Sequence, residues 1–132
     1  MEREAERGEA VIRGTLVSES LRVGAEISGI AGMTLVGVRR VQVASASPDQ
    51  PSRWTLIDFE APDDRAGALA GACAAALDQP GWYVDFHTAT EEYVVFSGRV
   101  FRYPRGDASG RAEAEAHALG LGVPPAQIDW PE

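Results

Sequence analysis

Residues 80–107 read PGWYVDFHTATEEYVVFSGRVFRYPRGD, and this run decides the fold. Three segments rich in β-branched and aromatic residues are separated by turn formers. Over 82–88, Trp82, Val84 and Phe86 alternate with Tyr83, Asp85 and His87, which predicts a strand with two unlike faces. Residues 89–92 read as a loop and 93–96 as a second strand. Ser97-Gly98 then predicts a two-residue hairpin turn, because glycine supplies the positive φ such turns need. Residues 99–103 form a third strand, which Pro104 closes. The product is a three-stranded meander whose core side chains are Trp82, Val84, Phe86, Val94, Phe96 and Phe101, with Tyr83, Asp85 and His87 pointing away.

Working toward the N-terminus, Asp78-Gln79-Pro80-Gly81 ends a helix predicted over 65–77. Its start lies at Pro62-Asp63-Asp64, where an aspartate is expected to cap the free N–H groups. Leu69, Cys73 and Leu77 recur every four residues as its buried face. Gly67 and Gly71, also four apart, predict a small-residue face on which the backbone approaches the sheet closely, since helical glycine otherwise only costs stability. Residues 53–61 form a strand in which Ile57 and Phe59 alternate with Asp58 and Glu60. Residues 45–53 are a polar, proline-bearing loop.

The strand over 33–44 changes phase: Val36 and Val38 are even, Val41 and Val43 odd. A β-bulge near Arg39-Arg40 is expected to resolve this. A further strand spans 10–22, and the glycine-rich segment 23–32 is expected to hold a short strand at 25–28. Residues 1–9 are highly charged and read as a flexible tail.

Toward the C-terminus, Asp107 or Ser109 caps a helix over 109–119, with Gly120 as its C′ residue and His117 as a surface group suited to the helix dipole. Arg105-Gly106-Asp107 reads as the turn leading into that cap rather than as an adhesion tripeptide. Pro124-Pro125-Ala126-Gln127 predicts one helical turn, and Ile128 and Trp130 a docked tail.

The order is therefore βββαβββα. This is an α+β domain over 10–132, with a mostly antiparallel sheet of about five to six strands and two helices on one face. The unit strand three–helix–strand four makes the expectation partly ferredoxin-like.

The chain has 132 residues, a net charge of −8, 45% hydrophobic and 24% charged residues, and one cysteine. This length buries a sizeable core without metal or disulfides. The charge disfavours nucleic acid and anionic membrane as partners. A lone cysteine excludes an internal disulfide, and no stretch matches a signal peptide or a membrane span, so a cytoplasmic location is expected. Heavy use of Ala, Gly, Val and Arg is that of a GC-rich bacterial gene. The closing run, Tyr93-Val-Val-Phe-Ser-Gly-Arg-Val-Phe-Arg-Tyr103 followed by a helix and Gly122-Val-Pro-Pro-Ala-Gln-Ile-Asp-Trp130, resembles the ending of small bacterial proteins of no assigned function. The resemblance spans about the last third of the chain and implies no activity.

P-loop, G-x-S-x-G, H-E-x-x-H, C-x-x-C and G-x-G-x-x-G signatures are absent. No catalytic residue, metal ligand or cofactor is expected. The best polar constellation is Tyr83, Asp85 and His87 on one strand face, with Asp58, Glu60, Glu91 and Glu92 expected nearby. Trp54, Tyr83, Tyr93 and Tyr103 are expected to form an aromatic patch on the sheet, and Cys73 to be an inert core thiol.

Three functional readings follow. The first is a non-enzymatic module that binds a protein partner, or itself, through a sheet face the helices leave open. The second is a small-molecule or metal-binding protein, or an enzyme, using Tyr83, Asp85 and His87 as its ligand-binding residues. The third is an immunity- or antitoxin-like acidic protein that neutralises a basic partner.

Overall fold

A computed structural model of the protein describes residues 10–131; the tail expected over 1–9 lies outside them. Strand β1 runs Val11–Val17, β2 Thr34–Gln42 and β3 Arg53–Pro62. β3 is central and pairs antiparallel with β1 on one side and β2 on the other. A 3-10 turn at Asp63–Arg65 leads into helix α1, Ala66–Ala76. Strands β4 (Tyr83–His87), β5 (Glu91–Phe96) and β6 (Arg99–Pro104) form a second antiparallel sheet with β5 central. Helix α2 spans Ala108–Gly120, and a 3-10 turn at Pro125–Gln127 begins the C-terminal segment.

The predicted element order stands, apart from the short strand at 25–28, which does not form. The single sheet does not: the six strands divide into two sheets of three. The ferredoxin-like expectation fails with it. Helix α1 joins β3 to β4, which belong to different sheets, so no β-α-β unit closes within one sheet. β1 and β4 lie against each other without ladder pairing, and Trp54 and Trp82, 5.2 Å apart, stand beside that junction.

The helices also lie on opposite faces of the second sheet rather than on one. Helix α1 buries Ala66, Leu69, Ala70 and Cys73 with Ile12, Leu16 and Phe59 of the first sheet and with Val84, Phe86, Tyr93 and Val95 of the second. Helix α2 buries Ala114 and Ala118 with Val94, Phe96, Phe101 and Tyr103. Neighbours on a strand point to opposite faces, so Tyr93 and Val95 meet one core while Val94 and Phe96 meet the other. This is why β5 ends in a continuous apolar run, Tyr93–Phe96, without alternation, as in a strand covered on both sides.

The expected aromatic patch is split for the same reason. Tyr93 stacks on Phe86 in the first core, Tyr83 and Tyr103 belong to the second, and Trp54 packs on Trp82. His117 is half-buried, edge-on to Phe96 at 4.7 Å, rather than a surface residue. Burial, with Arg99 nearby, lowers its pKa. Cys73 is in the core as expected, its thiol pushed up to about 12 by burial.

The β2 bulge exists, but at Val36, between Leu35 and Gly37, not at the arginines. The arginines are in regular register, Arg39 opposite Leu56 and Arg40 opposite Thr55, and their side chains pair with Asp58 and Glu19, each at 2.8 Å. The aspartates before α1 lie in the 3-10 turn, and Arg65 occupies the N-cap without a side-chain cap. Asp107 does cap α2, accepting from the Ser109 and Gly110 amides at 3.1 and 3.3 Å. The stop of α2 falls two residues later than predicted. Gly122, at φ +89°, is the left-handed residue, and Val123 N–H donates to Ala118 O at 3.0 Å while Gly122 N–H donates to Leu119 O. This is a Schellman closure, with Val123 buried as its hydrophobic contact.

Candidate functional site

Where the edges of β1 and β4 run side by side, a cleft of about 250 Å³ opens between the two sheets. Thr15 and Val17 line it from β1, Tyr83, Val84 and Asp85 from β4, and Trp82 from just before β4. Trp54, at the start of β3, adds a second indole, its ring tilted 59° to that of Trp82 and its Nε1 donating to Pro51 O at 2.8 Å. The C-terminal segment closes the remaining side with Gln127 and Asp129.

That segment is held by polar contacts and one aromatic anchor. Trp130 is 2% exposed and meets the Tyr83 ring edge-on at 5.0 Å. The Tyr83 hydroxyl lies within hydrogen-bond reach of two acceptors, the Gln127 carbonyl and Asp129 Oδ1, the latter at 2.8 Å. A phenol has one proton to donate, so it serves one of them at a time. Gln127 Nε2 in turn donates to Ser45 O at 2.8 Å and to Gln50 Oε1 at 2.9 Å, and the Gln50 amide donates to Gly81 O at 3.1 Å. The two glutamines therefore tie loop 45–50, the turn before β4 and the C-terminal turn into one wall.

The electrostatics of the cleft are acidic. Burial first, and then the charge of Asp129, push the Asp85 carboxyl up to about 6. Burial and the same aspartate push the Tyr83 phenol well above its ordinary value, so it remains protonated. Neither Asp85 nor Asp129 belongs to an ion pair among the described residues. The arrangement presents two carboxylates that no described cation pairs with, a neutral phenol and two indoles around one opening.

Of the three residues singled out on β4, Tyr83 and Asp85 meet at this cleft. His87 does not line it; its Nδ1 lies 3.0 Å from Thr88 O, in the connection to β5. The carboxylates expected to join them are engaged elsewhere. Asp58 is bound by Arg39 and Thr15, Glu60 by Arg13, and Glu91 by Arg102. Glu92 is buried in the sheet, opposite His87 and Tyr103. Among the described residues no group of three histidine, cysteine or carboxylate side chains gathers to hold a metal ion. Nor is any helix there long and apolar enough to cross a membrane.

Sequence reasoning missed Asp129 and Gln127, which lie forty or more residues beyond β4. The docked pair Ile128 and Trp130 was the available signal, because anchoring Trp130 necessarily brings its polar neighbours to the sheet edge. No family model, curated protein or solved structure matches this chain.

Proposed function

We propose that this protein is a binding module for a small organic cation, taken into the cleft between the sheets by Asp85 and Asp129 and flanked by Trp54 and Trp82. The observation that carries this reading is the pairing of two carboxylates, outside any ion pair among the described residues, with two indoles at one opening. Carboxylates supply charge, and an aromatic face attracts alkylammonium groups through its quadrupole, by about 0.5–2 kcal/mol per contact. The net charge of −8 draws cations toward the molecule as a whole.

Titration with choline or tetramethylammonium, read by tryptophan fluorescence and calorimetry, tests it. Saturable binding is expected, weakened roughly tenfold or more in Asp85→Asn, since a charge-assisted contact contributes about 1.5–3 kcal/mol. Binding is also expected to tighten as pH rises through about 6, where Asp85 ionises. A flat titration, or equal affinity in the variant, rejects the reading.

A second reading, self-association, is favoured by a different surface. The sheet face that the sequence left open for an interface is covered by α2 and the C-terminal segment. β2, however, is an outer strand of the first sheet, and Leu35, Val36 and Val38 on it are 67, 61 and 58% exposed. These exposed apolar side chains on an outer strand offer a surface on which a second copy could pack, with the bulge at Val36 and Arg39-Arg40 limiting the pairing to part of the strand. Sedimentation velocity over a concentration series is expected to show a dimer that Val38→Lys abolishes. A monomer at every concentration removes this reading and leaves the cleft unaffected.

A further inference from the structure

A second opening, about 260 Å³, lies where the β4–β5 connection, the turn after β6 and the C-terminal segment converge. Ala89, Glu92, Arg105, Gly106 and Pro131 line it, and it shares no lining residue with the inter-sheet cleft. Two of these residues carry chemistry. Glu92 stands on the central strand of the second sheet, and the residue is 2% exposed. Its Oε2 has no hydrogen-bond partner among the described residues. Leaving such an atom buried and unpartnered is costly unless something else meets it. Arg105 is exposed on the rim and belongs to none of the ion pairs among the described residues. A guanidinium and a buried carboxyl thus face one opening without bonding to each other.

The groups around Glu92 decide what fits there. From β4 it faces His87 across the ladder and feels the charge of Asp85; from β6 it faces Tyr103; beyond β6 it feels Arg105. Arg111 of α2 acts on Tyr103. Burial, and then Asp85, push Glu92 up to about 8, outweighing Arg105. At neutral pH its carboxyl therefore carries a proton and is a donor as well as an acceptor. A cation entering here would meet Arg105 and find no charge on Glu92. An anion would find the planar fork of Arg105, which matches a carboxylate bidentately, and an O–H donor behind it.

We infer that the opening between Glu92 and Arg105 is a site for a small carboxylate, held by the Arg105 guanidinium and by the Glu92 carboxyl as donor. The opening's size suits a short-chain acid. Gly106, at φ +86°, turns the chain beside it without a side chain of its own.

Backbone amide NMR of the intact chain, titrated with sodium acetate at pH 6.5 against equal sodium chloride, tests this inference. Acetate is expected to produce saturable shifts at the amides of Ala89, Arg105 and Gly106, and chloride is not. Arg105 is exposed, so Arg105→Gln leaves the packed structure in place; it is expected to weaken acetate binding roughly tenfold or more. In the native protein binding is expected to fade as pH is raised from 6.5 to 9, as Glu92 loses its proton. Glu92→Gln keeps a donor in the same position and is expected to bind acetate without that fade. The inference is overturned by an absence of saturable shifts, by chloride reproducing them, by shifts confined to the cleft of Trp54 and Trp82, or by unchanged affinity in Arg105→Gln.

Discussion

At Gly67 and Gly71 a Cβ would have no atom within 4 Å, and both residues are exposed. Their spacing predicted close packing against a sheet, but α1 turns its Ala66, Leu69, Ala70 and Cys73 face inward and leaves the glycines in solvent. Gly67→Ala and Gly71→Ala are therefore expected to stabilise the protein, each by up to about 1 kcal/mol, because alanine restricts the unfolded chain and favours the helix. Gly110 behaves oppositely. A Cβ there would stand 2.5 Å from Tyr103 Cβ, so Gly110→Ala forces α2 off the sheet and is expected to cost about 1–3 kcal/mol. Thermal denaturation of the three variants separates the cases by sign. Sequence marks each position as a helical glycine; only the partner element says which one lies in a contact.

At the scale of elements, two turns whose deciding partners lie within a few residues were legible, although the aspartate cap of α1 and the stop of α2 at Gly120, equally local, were misread. The Ser97-Gly98 hairpin, with Gly98 at φ +72°, forms as read. The turn at Arg105-Gly106-Asp107 does too, and delivers Asp107 to the α2 N-cap. Asp107→Ala is expected to destabilise by about 1 kcal/mol, measured by urea denaturation, because two helix N–H groups lose their acceptor. Where the partner is distant, the reading failed. The phase change in β2 demanded a bulge, but its placement at Val36 depends on the register with β3, where Leu35 meets Phe59 and Gly37 meets Asp58. The face of β4 that carries Tyr83, Asp85 and His87 was identifiable from alternation. That it divides, Tyr83 and Asp85 to the cleft and His87 to a loop contact, follows from the docking of the C-terminal segment.

For the whole molecule, buried Glu92 and half-buried Asp85 set an unusual dependence on pH. Asp85 is raised from 3.8 to about 6 and Glu92 from 4.5 to about 8, burial being the first cause in both. A carboxyl that holds its proton more tightly when folded contributes stability that is complete below its unfolded value. That contribution is lost as pH rises through its folded value. The native protein is therefore expected to lose stability between about pH 4 and pH 8. Asp58 works in the opposite sense and in a lower window. Arg39, and then Thr15, hold it down at about 2, so its contribution is present above pH 3.8 and lost toward pH 2. Melting curves at pH 5 and pH 8 are expected to differ by a few degrees in favour of pH 5, with the difference much reduced in Glu92→Gln. Equal melting temperatures in the native protein would contradict the assignment of Glu92 as a buried acid.

Sequence by itself determined the broad order of strands and helices and the hairpin, and narrowed the α2 cap to Asp107 or Ser109. Each of these rests on backbone preferences and on spacings of two to four residues. Tertiary structure alone decided that six strands make two sheets, that the helices cover opposite faces, and that Asp129 and Gln127 close a cleft on Tyr83 and Asp85. It also decided that Glu92 is buried rather than solvated. These outcomes depend on which surfaces meet in space rather than on local spacing, and the burial and charge that distinguish one carboxylate from another arise only when those surfaces meet.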